Sequence, residues 1–343
     1  MKKNTAIDKY NQSPFLILKT AYLYYMQNKS QSDIAEDLSI SITTVSRLLN
    51  KAKEQKIIEF VIRDPYLKCI ELEQKLKECY RLKEVIIAPN GINDELDGTD
   101  TELAKDNAKR LVALEGARYL QRIIRPDDIL GVTWGSTVYN MINYLNPAQK
   151  IPAKFVTLHG SIACCENELD VRTLVSRMAK AFFGKNYYLL TDALMSSSAA
   201  VDIMKKERNN REVFQMFDTI SISVNGIGSF YPEESSVLAT QAFMETDDLQ
   251  SLRNAGAYGD IALRFFDADG NECKSPLSER MIAISFDQLK RIPQKIALAS
   301  GVHKAYSVRA ALRGGLIDVL IIDYQLAQKL IELADTEKRL IRP

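Results

Sequence analysis

Short hydroxyl, amide and cationic side chains occur together in one segment near the start of the chain. They are Thr43, Thr44, Ser46, Arg47, Asn50 and Lys51, and no carboxylate interrupts them before Glu54. Side chains of these types can donate hydrogen bonds to phosphate oxygens and to base edges in the major groove of DNA. A solvated helical hairpin can carry the same residues without any partner, so the segment alone leaves both interpretations open.

A second group of residues suits an anion. The segment Thr133-Trp-Gly-Ser-Thr137 follows an apolar run and precedes a helical pattern over 138–145. Gly135 permits close approach of the backbone, Ser136 and Thr137 carry hydroxyls, and the N–H groups at a helix N-terminus favour an anion such as phosphate. The GxxxxGK spacing of a P-loop is absent, and a glycine between a strand and a helix is more often only a turn.

Two further strand ends have comparable features. In Ser300-Gly-Val-His-Lys304, the lysine lies in the first turn of a helical pattern over 303–313, where a cation is unfavourable unless it is solvated or faces an anion. The segment Val224-Asn-Gly-Ile-Gly-Ser229 is another strand end rich in glycine, with Gly226 and Gly228 as further candidates to bind the anion. Ligands of doubly wound sheets lie at the carboxyl ends of strands, so we expect all three segments to converge on one crevice.

Other polar residues are weaker candidates for the same crevice. His159 and Gly160 follow the apolar run 155–158, although a lone histidine is more often structural. Asp260 can accept a hydrogen bond from a sugar hydroxyl, but an aspartate after a glycine is more often a turn or cap residue. Asp318 is a similar case.

The side chains that could contact DNA, from Thr43 to Lys51, require a helix that exposes them on one face. Ser30 with Asp33 is a capping signal for a helix to about Leu38, and Ser41 is the N-cap of a second helix whose apolar residues recur at helical spacing. These features predict a helix-turn-helix in a domain over residues 1–64. The run over 57–62 is predicted to be a strand that forms a wing.

The anion-type segments require a parallel sheet. Apolar runs at 85–88, 129–132, 155–158, 220–224, 296–299 and 319–322 alternate with helical patterns, which predicts a doubly wound α/β domain over 85–343. Residues 65–84 are predicted to form a connecting helix after Pro65. Gly270 in Asp267-Ala-Asp-Gly-Asn271 indicates a hairpin turn and one antiparallel excursion.

Charge and composition exclude several classes of protein. The chain has 45 Lys+Arg and 44 Asp+Glu, and the net charge of +1 divides into +3 for residues 1–64 and −2 for the remainder. Binding of nucleic acid or membrane by bulk charge is therefore excluded. Five cysteines without a CxxC pair and only two histidines argue against a zinc site, and we expect reduced thiols, a cytoplasmic location and no cofactor.

Motifs along nearly the whole chain resemble one family, the SorC family of sugar-responsive bacterial transcriptional regulators, which also includes some proteins called DeoR. In the first domain the resemblance rests on Leu23-Tyr24-Tyr25, Gln31-Ser-Asp-Ile34-Ala35, Leu38-Ser-Ile40-Ser41 and Thr44-Val45-Ser46-Arg47-Leu48-Leu49. In the second it rests on Leu130-Gly-Val-Thr-Trp-Gly135-Ser-Thr137, Gly226-Ile-Gly228, Gly259-Asp260-Ile261, Ser300-Gly301 to Lys304 and Ala310-Ala-Leu-Arg313-Gly-Gly-Leu-Ile-Asp318-Val-Leu.

The resemblance implies a second domain similar in fold to sugar-phosphate isomerases and glucosamine-phosphate deaminases, which senses a phosphorylated sugar. It implies that Lys304 is similar in position to a lysine that contacts phosphate. It also implies a dimer or tetramer on a palindromic operator, with the sugar phosphate altering the affinity for DNA.

Two residues depart from the family pattern. Ile42 follows the N-cap serine where the family commonly has a polar or basic residue, so an apolar contact to a thymine methyl becomes conceivable. Lys56 stands where the family often has a glycine that ends the helix. Because a left-handed lysine costs about 1 kcal/mol, we expect this helix to end by another route.

Two classes of function compete for this sequence. The first is a regulator whose first domain binds DNA and whose second domain binds a sugar phosphate. The second is a sugar-phosphate isomerase or deaminase with an appended DNA-binding domain, for which Asp192, Asp260 and His159 are candidate acid or base residues. No motif gathers these three into an active-site pattern, so we favour the regulator. A scaffolding protein would leave the polar face around Arg47 unexplained.

Overall fold

The computed structural model describes residues 14–58, 66–89, 102–162, 168–240 and 243–341. The chain divides into two compact units, Met1–Asp64 and Pro65–Pro343. Each unit is built around its own buried apolar residues.

Over residues 14–58 the first unit is helical. Its helices are α1 (Pro14–Tyr25), α2 (Gln31–Asp37) and α3 (Ile42–Glu54). Ser30 and Asp33 form a capping box at the start of α2, and the Ser41 hydroxyl accepts a hydrogen bond from the Thr44 N–H at the start of α3. Both predicted helix starts are confirmed. The predicted wing strand falls mostly on residues outside the described part of the chain, so it stays a prediction.

The end of α3 corrects one expectation. Lys56 has a φ of 54°, so it adopts the left-handed conformation that we expected this chain to avoid. The chain leaves the helix by the same geometry that a glycine would use: the N–H of Ile57 donates to the carbonyl of Ala52. This contact and the packing of Ile57 against the apolar cluster of the first unit offset the strain at Lys56.

The second unit is a mixed α/β domain with a parallel sheet. Its seven strands lie in the order β1-β10-β9-β5-β2-β3-β4, and all neighbouring pairs are parallel. The strands are β1 (Glu84–Ala88), β2 (Ile129–Val132), β3 (Lys154–Thr157), β4 (Lys185–Tyr187), β5 (Ile222–Gly226), β9 (Gln294–Ala299) and β10 (Val319–Asp323). The six predicted strands are confirmed with small shifts of their ends, and β4 is an additional edge strand.

Helices and buried apolar residues cover the sheet, as expected for strands such as β10 in which every residue is buried. The helices are α4 (Leu67–Tyr80), α5 (Glu102–Ile123), α6 (Ser136–Asn143), α7 (Val171–Phe182), α8 (Ser198–Lys206), α9 (Arg208–Met216), α10 (Thr246–Asn254), α11 (Pro276–Glu279), α12 (Phe286–Arg291), α13 (Ala305–Arg313) and α14 (Tyr324–Ile341). Helix α4 packs against β1 and α14, so the predicted connecting helix is an integral part of the second unit.

The antiparallel excursion forms a separate small sheet. Strands β6 (Gly228–Ser229), β7 (Gly259–Ile261) and β8 (Arg264–Phe266) pair in that order. Gly270 lies in the predicted turn with a φ of 75°, and the Gly270 N–H donates to Asp267. The tight turn between β7 and β8 is formed instead by Ala262 and Leu263, which both have positive φ and gave no glycine signal in the sequence.

The strand order creates a crevice at one position. Chain connections run from β2 to β3 and β4 on one side, and from β5 to β9 and β10 on the other, so the order reverses between β2 and β5. In doubly wound sheets the carboxyl ends of strands at such a reversal leave an open crevice for a ligand.

Candidate functional site

A cavity of about 140 Å³ lies at the carboxyl ends of β2 and β5. It brings together seven of the nine residues predicted to bind an effector: Gly135, Ser136, Thr137, Gly226, Gly228, Asp260 and Lys304. The lining also includes Thr133, Trp134 and Ile227 from the predicted segments. Four residues that the sequence did not single out complete it: Leu169, Ser235, Ser236 and Ala262.

The first wall of the cavity is the start of α6. Gly135 has a φ of 141° and ψ of 146°, and an added Cβ would meet nothing within 4 Å, so the backbone faces open space. Helix α6 begins at Ser136, two residues earlier than predicted, and no side chain caps it. Because the first N–H groups of a helix have no acceptor inside the helix, this end can donate to an anion.

Thr133 links the end of β2, which leads into this wall, to the end of β5. Its hydroxyl accepts a hydrogen bond from the Gly226 N–H at 3.2 Å, and its own N–H donates to the Val224 carbonyl at 3.1 Å. The side chain is buried. One threonine therefore holds the ends of β2 and β5 in register, although a threonine between two strand ends carries no special signal in the sequence.

His159 and Gly160 are not among the residues that line the cavity. The His159 ring is fully buried, its Nδ1–H donates to the Gly160 carbonyl at 2.7 Å, and its Nε2 accepts from the Trp134 N–H at 3.1 Å. Burial lowers the pKa of His159 to about 4, which keeps Nε2 free to accept near neutral pH. The histidine thus supports the loop that precedes Gly135.

Gly160 has a structural reason to be a glycine. A Cβ at this position would lie 2.6 Å from the Asp192 carbonyl oxygen, and the Gly160 N–H donates to Ile282 at 2.9 Å. The predicted contact of His159 and Gly160 with a ligand stays a prediction, since neither residue lines the cavity and both are engaged in the contacts described above.

Asp260 is the buried acid of the cavity. It lies on β7, is 5% exposed, and accepts a hydrogen bond from the Ser236 hydroxyl at 2.9 Å. Burial raises the pKa of Asp260 to about 6, against the opposing effects of Ser236 and Lys304. Gly228 makes room for this carboxyl, because a Cβ there would lie 1.9 Å from the Asp260 Oδ1.

Lys304 is the basic residue of the cavity lining. It ends a short 3-10 turn, Val302–Lys304, rather than lying in the first turn of the following α-helix as expected. Burial lowers the pKa of Lys304 to about 8, with Lys109 acting in the same direction and Asp260 and Asp323 opposing. Within the described ranges no carboxylate lies at ion-pairing distance from its ammonium group, so its charge is available to an anion.

Asp318 lies at the amino ends of the strands, immediately before β10. Its carboxylate pairs with the buried Lys295 ammonium at 2.7 Å and accepts from the Lys295 N–H at 2.9 Å. Lys295 lies near the start of β9, so this pair is remote from the carboxyl ends that form the cavity. We assign it a structural role.

The described residues contain no cluster of three or more His, Cys, Asp or Glu side chains that could hold a metal ion. In the same part of the chain, none of the helices has the length and apolar character needed to cross a membrane.

The second candidate surface is the outer face of α3. Its inner residues Val45, Leu48, Leu49 and Ala52 are buried against the other helices of the first unit. Thr43, Arg47 and Asn50 are exposed, whereas Thr44, Ser46 and Lys51 are half-buried. The Thr44 hydroxyl also bonds to the Ser41 hydroxyl at 2.8 Å, and Ile42 is exposed at the start of the helix. The six predicted residues therefore lie on one helix with unequal access to solvent.

Known proteins similar to this chain are regulators. A family model described as "Putative sugar-binding domain" matches residues 64–332. The chain is 30% identical over 318 residues to the "Deoxyribonucleoside regulator" of Bacillus subtilis (strain 168), covering 92% of this chain and 97% of that protein. It is 27% identical over 321 residues to the "Sorbitol operon regulator" of Klebsiella pneumoniae, covering 92% and 98%.

Structural similarity leads to the same group. The crystal structure of the full-length sorbitol operon regulator SorC from Klebsiella pneumoniae superposes with a TM-score of 0.70 at 27% identity, covering 92% of this chain and 98% of that one. Because each of these similarities covers 92% of the chain, each extends into both units.

Proposed function

Since the chain belongs to the SorC family of transcriptional regulators and carries a sugar-binding domain over residues 64–332, we propose that a phosphorylated sugar in the cavity controls its affinity for an operator DNA. The observation that carries the proposal is the meeting of the uncapped start of α6 with Lys304 and Asp260 in one cavity.

The chemistry of the cavity fits a molecule with two different ends. The N–H groups at Ser136 and Thr137 and the Lys304 ammonium favour an anion of the size of a phosphate. Asp260 with Ser236 offers acceptors and donors to sugar hydroxyls, as does Ser235 at the rim. A free phosphate would leave Asp260 without a partner for its second oxygen, so a phosphorylated sugar is the better fit.

The first unit is proposed to bind DNA as a helix-turn-helix. Helices α2 and α3, joined by a short turn, place Thr43, Arg47 and Asn50 on an exposed face that a major groove can accept. Thr44, Ser46 and Lys51 flank that face. We propose that two or four copies bind a palindromic operator, because a symmetric pair doubles the small positive charge of one unit.

Effector control requires a difference in affinity between two states. A sugar phosphate alters the population of DNA-competent molecules only if it binds one arrangement more tightly than the other. The two states are proposed to differ in how the subunits, or the two units of one chain, are arranged. The sugar phosphate is proposed to bind one of these two states more tightly.

The decisive experiment uses Trp134, the single tryptophan of the chain and a residue of the cavity lining. Its emission is followed while the purified protein is titrated with a panel of aldose and ketose phosphates and their unphosphorylated forms. A saturable response to one phosphate at micromolar concentration, absent for its unphosphorylated form, supports the proposal. A response that survives at unchanged affinity in Lys304→Ala with Ser136→Ala would assign the binding site elsewhere.

Enzymatic activity on a sugar phosphate is the competing function. Asp260 and Lys304, whose pKa values are both shifted toward neutrality, are the features of the cavity that favour it. His159 is neutral, buried and engaged with Trp134, and Asp192 is exposed and does not line the cavity, so neither is placed to exchange a proton with Asp260. We therefore propose a sensor without activity. Conversion of any member of the panel by the purified protein would overturn this.

A further inference from the structure

Asp323 connects the cavity to the last helix of the chain without lining the cavity itself. The residue ends β10 and is 2% exposed. One carboxylate oxygen accepts a hydrogen bond from the Gly301 N–H at 2.7 Å, and the other accepts from the Leu326 N–H at 2.9 Å. Gly301 belongs to the loop that carries Lys304, and Leu326 lies in the first turn of α14, so one buried group serves two elements.

The bond to Gly301 acts directly on the turn that carries Lys304. The Gly301 carbonyl accepts a hydrogen bond from the Lys304 N–H at 3.1 Å, which closes the 3-10 turn. Gly301 has a φ of 99°, a conformation that few other residues adopt. The carboxylate therefore anchors a loop whose backbone would otherwise relax, and the position of Lys304 depends on that loop.

The bond to Leu326 places the other end of the connection at α14. This helix packs against α4, the first helix after the boundary at Asp64. A second contact ties the same elements together farther along, since Arg309 on α13 pairs with Glu337 on α14 at 2.8 Å. Helix α13 follows Lys304 immediately, so the Lys304 segment is attached to α14 at both ends.

We propose that Asp323 is a positioning residue that couples the Lys304 side of the cavity to α14. This coupling rests on the proposed function in one respect, namely that an anion binds at Lys304. An anion that orders the Ser300–Lys304 loop also strengthens the bond from Gly301 to Asp323, and the shared carboxylate passes this order to the first turn of α14. Helix α14 is then the element through which occupancy of the cavity reaches α4.

The test compares Asp323→Asn and Asp323→Ala with the native chain by hydrogen–deuterium exchange of full-length protein. Asparagine keeps one acceptor and loses the other, whereas alanine loses both. The control is Ser285→Ala, which removes the N-cap of α12 in the same unit without touching the cavity. Inorganic phosphate is the probe. Its binding is measured by Trp134 emission, and its effect on amide exchange is measured in the two segments 300–304 and 324–334.

We expect faster exchange in both segments for Asp323→Ala, an intermediate effect for Asp323→Asn, and no change there for Ser285→Ala. Both variants lose the Asp323 charge, which by itself favours an anion, so the comparison between them isolates the two bonds: phosphate affinity should be about tenfold lower in Asp323→Ala than in Asp323→Asn. Phosphate should protect both segments in the native chain and only 300–304 in the variants. Faster exchange in a single segment, or equal phosphate affinity in the two variants, would overturn the coupling.

The two proposals can fail separately. If phosphate and the sugar phosphates leave the native chain unchanged, the proposed function is wrong, and exchange of the ligand-free variants still decides whether the carboxylate links the two segments. If the native chain binds phosphate but Asp323→Ala and Asp323→Asn bind it equally well, the function stands and the role of Asp323 falls.

Discussion

Lys304 and Asp260 are two ionisable residues of opposite charge in the same cavity, and their pKa values lie on either side of neutrality. Near pH 7 the lysine is mostly protonated and the aspartate mostly ionised. The cavity thus offers a cation to the phosphate and an acceptor to the hydroxyls of the same molecule. Each charge also makes the other less costly to bury.

Anion binding should consequently depend on pH in a defined direction. Sulfate keeps its full charge throughout this range, so any change in its affinity belongs to the protein. As pH rises through about 8, Lys304 loses its proton and sulfate affinity should fall by about tenfold in all. As pH falls through about 6, Asp260 is neutralised and the affinity should rise. Trp134 emission measures both.

Lys304→Gln and Asp260→Asn are the controls for these two steps. Lys304→Gln should remove the fall above pH 8, and Asp260→Asn should remove the rise below pH 6. A native profile that is flat from pH 5 to pH 9 would contradict the placement of both groups beside the anion.

Gly228 provides a test of the hydroxyl-binding side alone. In Gly228→Ala the added Cβ would lie 1.9 Å from the Asp260 Oδ1, so the carboxyl must move. Affinity for a sugar phosphate should drop by at least about tenfold, since a hydrogen bond to a charged group contributes about 1.5–3 kcal/mol, while sulfate affinity stays within about twofold. Both affinities are read from Trp134 emission.

Gly226→Ala is the matched control for this variant. Its Cβ would lie 3.6 Å from the Trp134 carbonyl oxygen, an ordinary contact, so it adds the same methyl group to the cavity lining without displacing Asp260 and should leave the ratio of sugar-phosphate to sulfate affinity as in the native chain. Equal losses of sugar phosphate and sulfate in Gly228→Ala would show that the whole cavity had collapsed rather than Asp260 alone.

At the scale of elements, α3 is the part of the first unit that should decide DNA binding. Arg47→Ala removes an exposed cation from its outer face, and affinity for an operator selected from a random duplex library should fall about tenfold. The slope of log affinity against log salt should decrease in magnitude by about one, which is the contribution of a single phosphate contact. Fluorescence anisotropy at several salt concentrations measures both quantities.

Lys19→Ala is the control for Arg47→Ala, because it removes an equal charge from the exposed surface of α1. An equal loss of affinity in the two variants would mean that net charge, rather than a contact made by α3, drives DNA binding.

The end of α3 offers a stability prediction. Lys56 is strained by its left-handed conformation, so Lys56→Gly should stabilise the helix by about 0.5–1 kcal/mol, the gain being reduced by the greater freedom of glycine in the unfolded chain. Slower amide exchange over 45–54 in the full-length protein would show it. Faster exchange there would mean that contacts of the lysine side chain outweigh the strain.

The sequence allowed prediction of those elements whose signals are local. Capping residues at Ser30 and Ser41 marked helix starts, and runs of apolar residues marked six strands of the sheet. The convergence of Gly135, Gly226 and Lys304 was also predictable, because carboxyl ends of parallel strands share one edge.

The remaining features depend on contacts between residues distant in the chain. Ser236 bonds to Asp260, Thr133 bonds to Gly226, and His159 supports Trp134, and none of these pairings has a sequence signature. Strand β4 has only three residues, and the turn at Ala262 lacks a glycine, so neither gave a local signal.

At the scale of the whole molecule, two buried groups oppose each other in the dependence of stability on pH. His159 has a pKa of about 4 in the folded state, below its ordinary 6.5, so between these values the unfolded chain binds a proton that the folded chain does not. Its contribution to stability therefore falls as pH falls. Asp260 has a pKa of about 6, above its ordinary 3.8, so the folded chain binds the extra proton and its contribution rises as pH falls.

The two effects are each on the order of 3 kcal/mol and cover nearly the same interval, from about pH 4 to pH 6, so they should largely cancel in the native protein. Asp260→Asn removes the stabilising response and should make the free energy of unfolding fall steeply with acid. His159→Gln, whose amide oxygen can still accept from Trp134, should make it rise or stay level. Urea unfolding followed by Trp134 emission at pH 4.5, 5.5 and 7 measures these slopes. Parallel profiles for the two variants would contradict the opposed linkage, because they would mean that other carboxylates dominate the response of the second unit to acid.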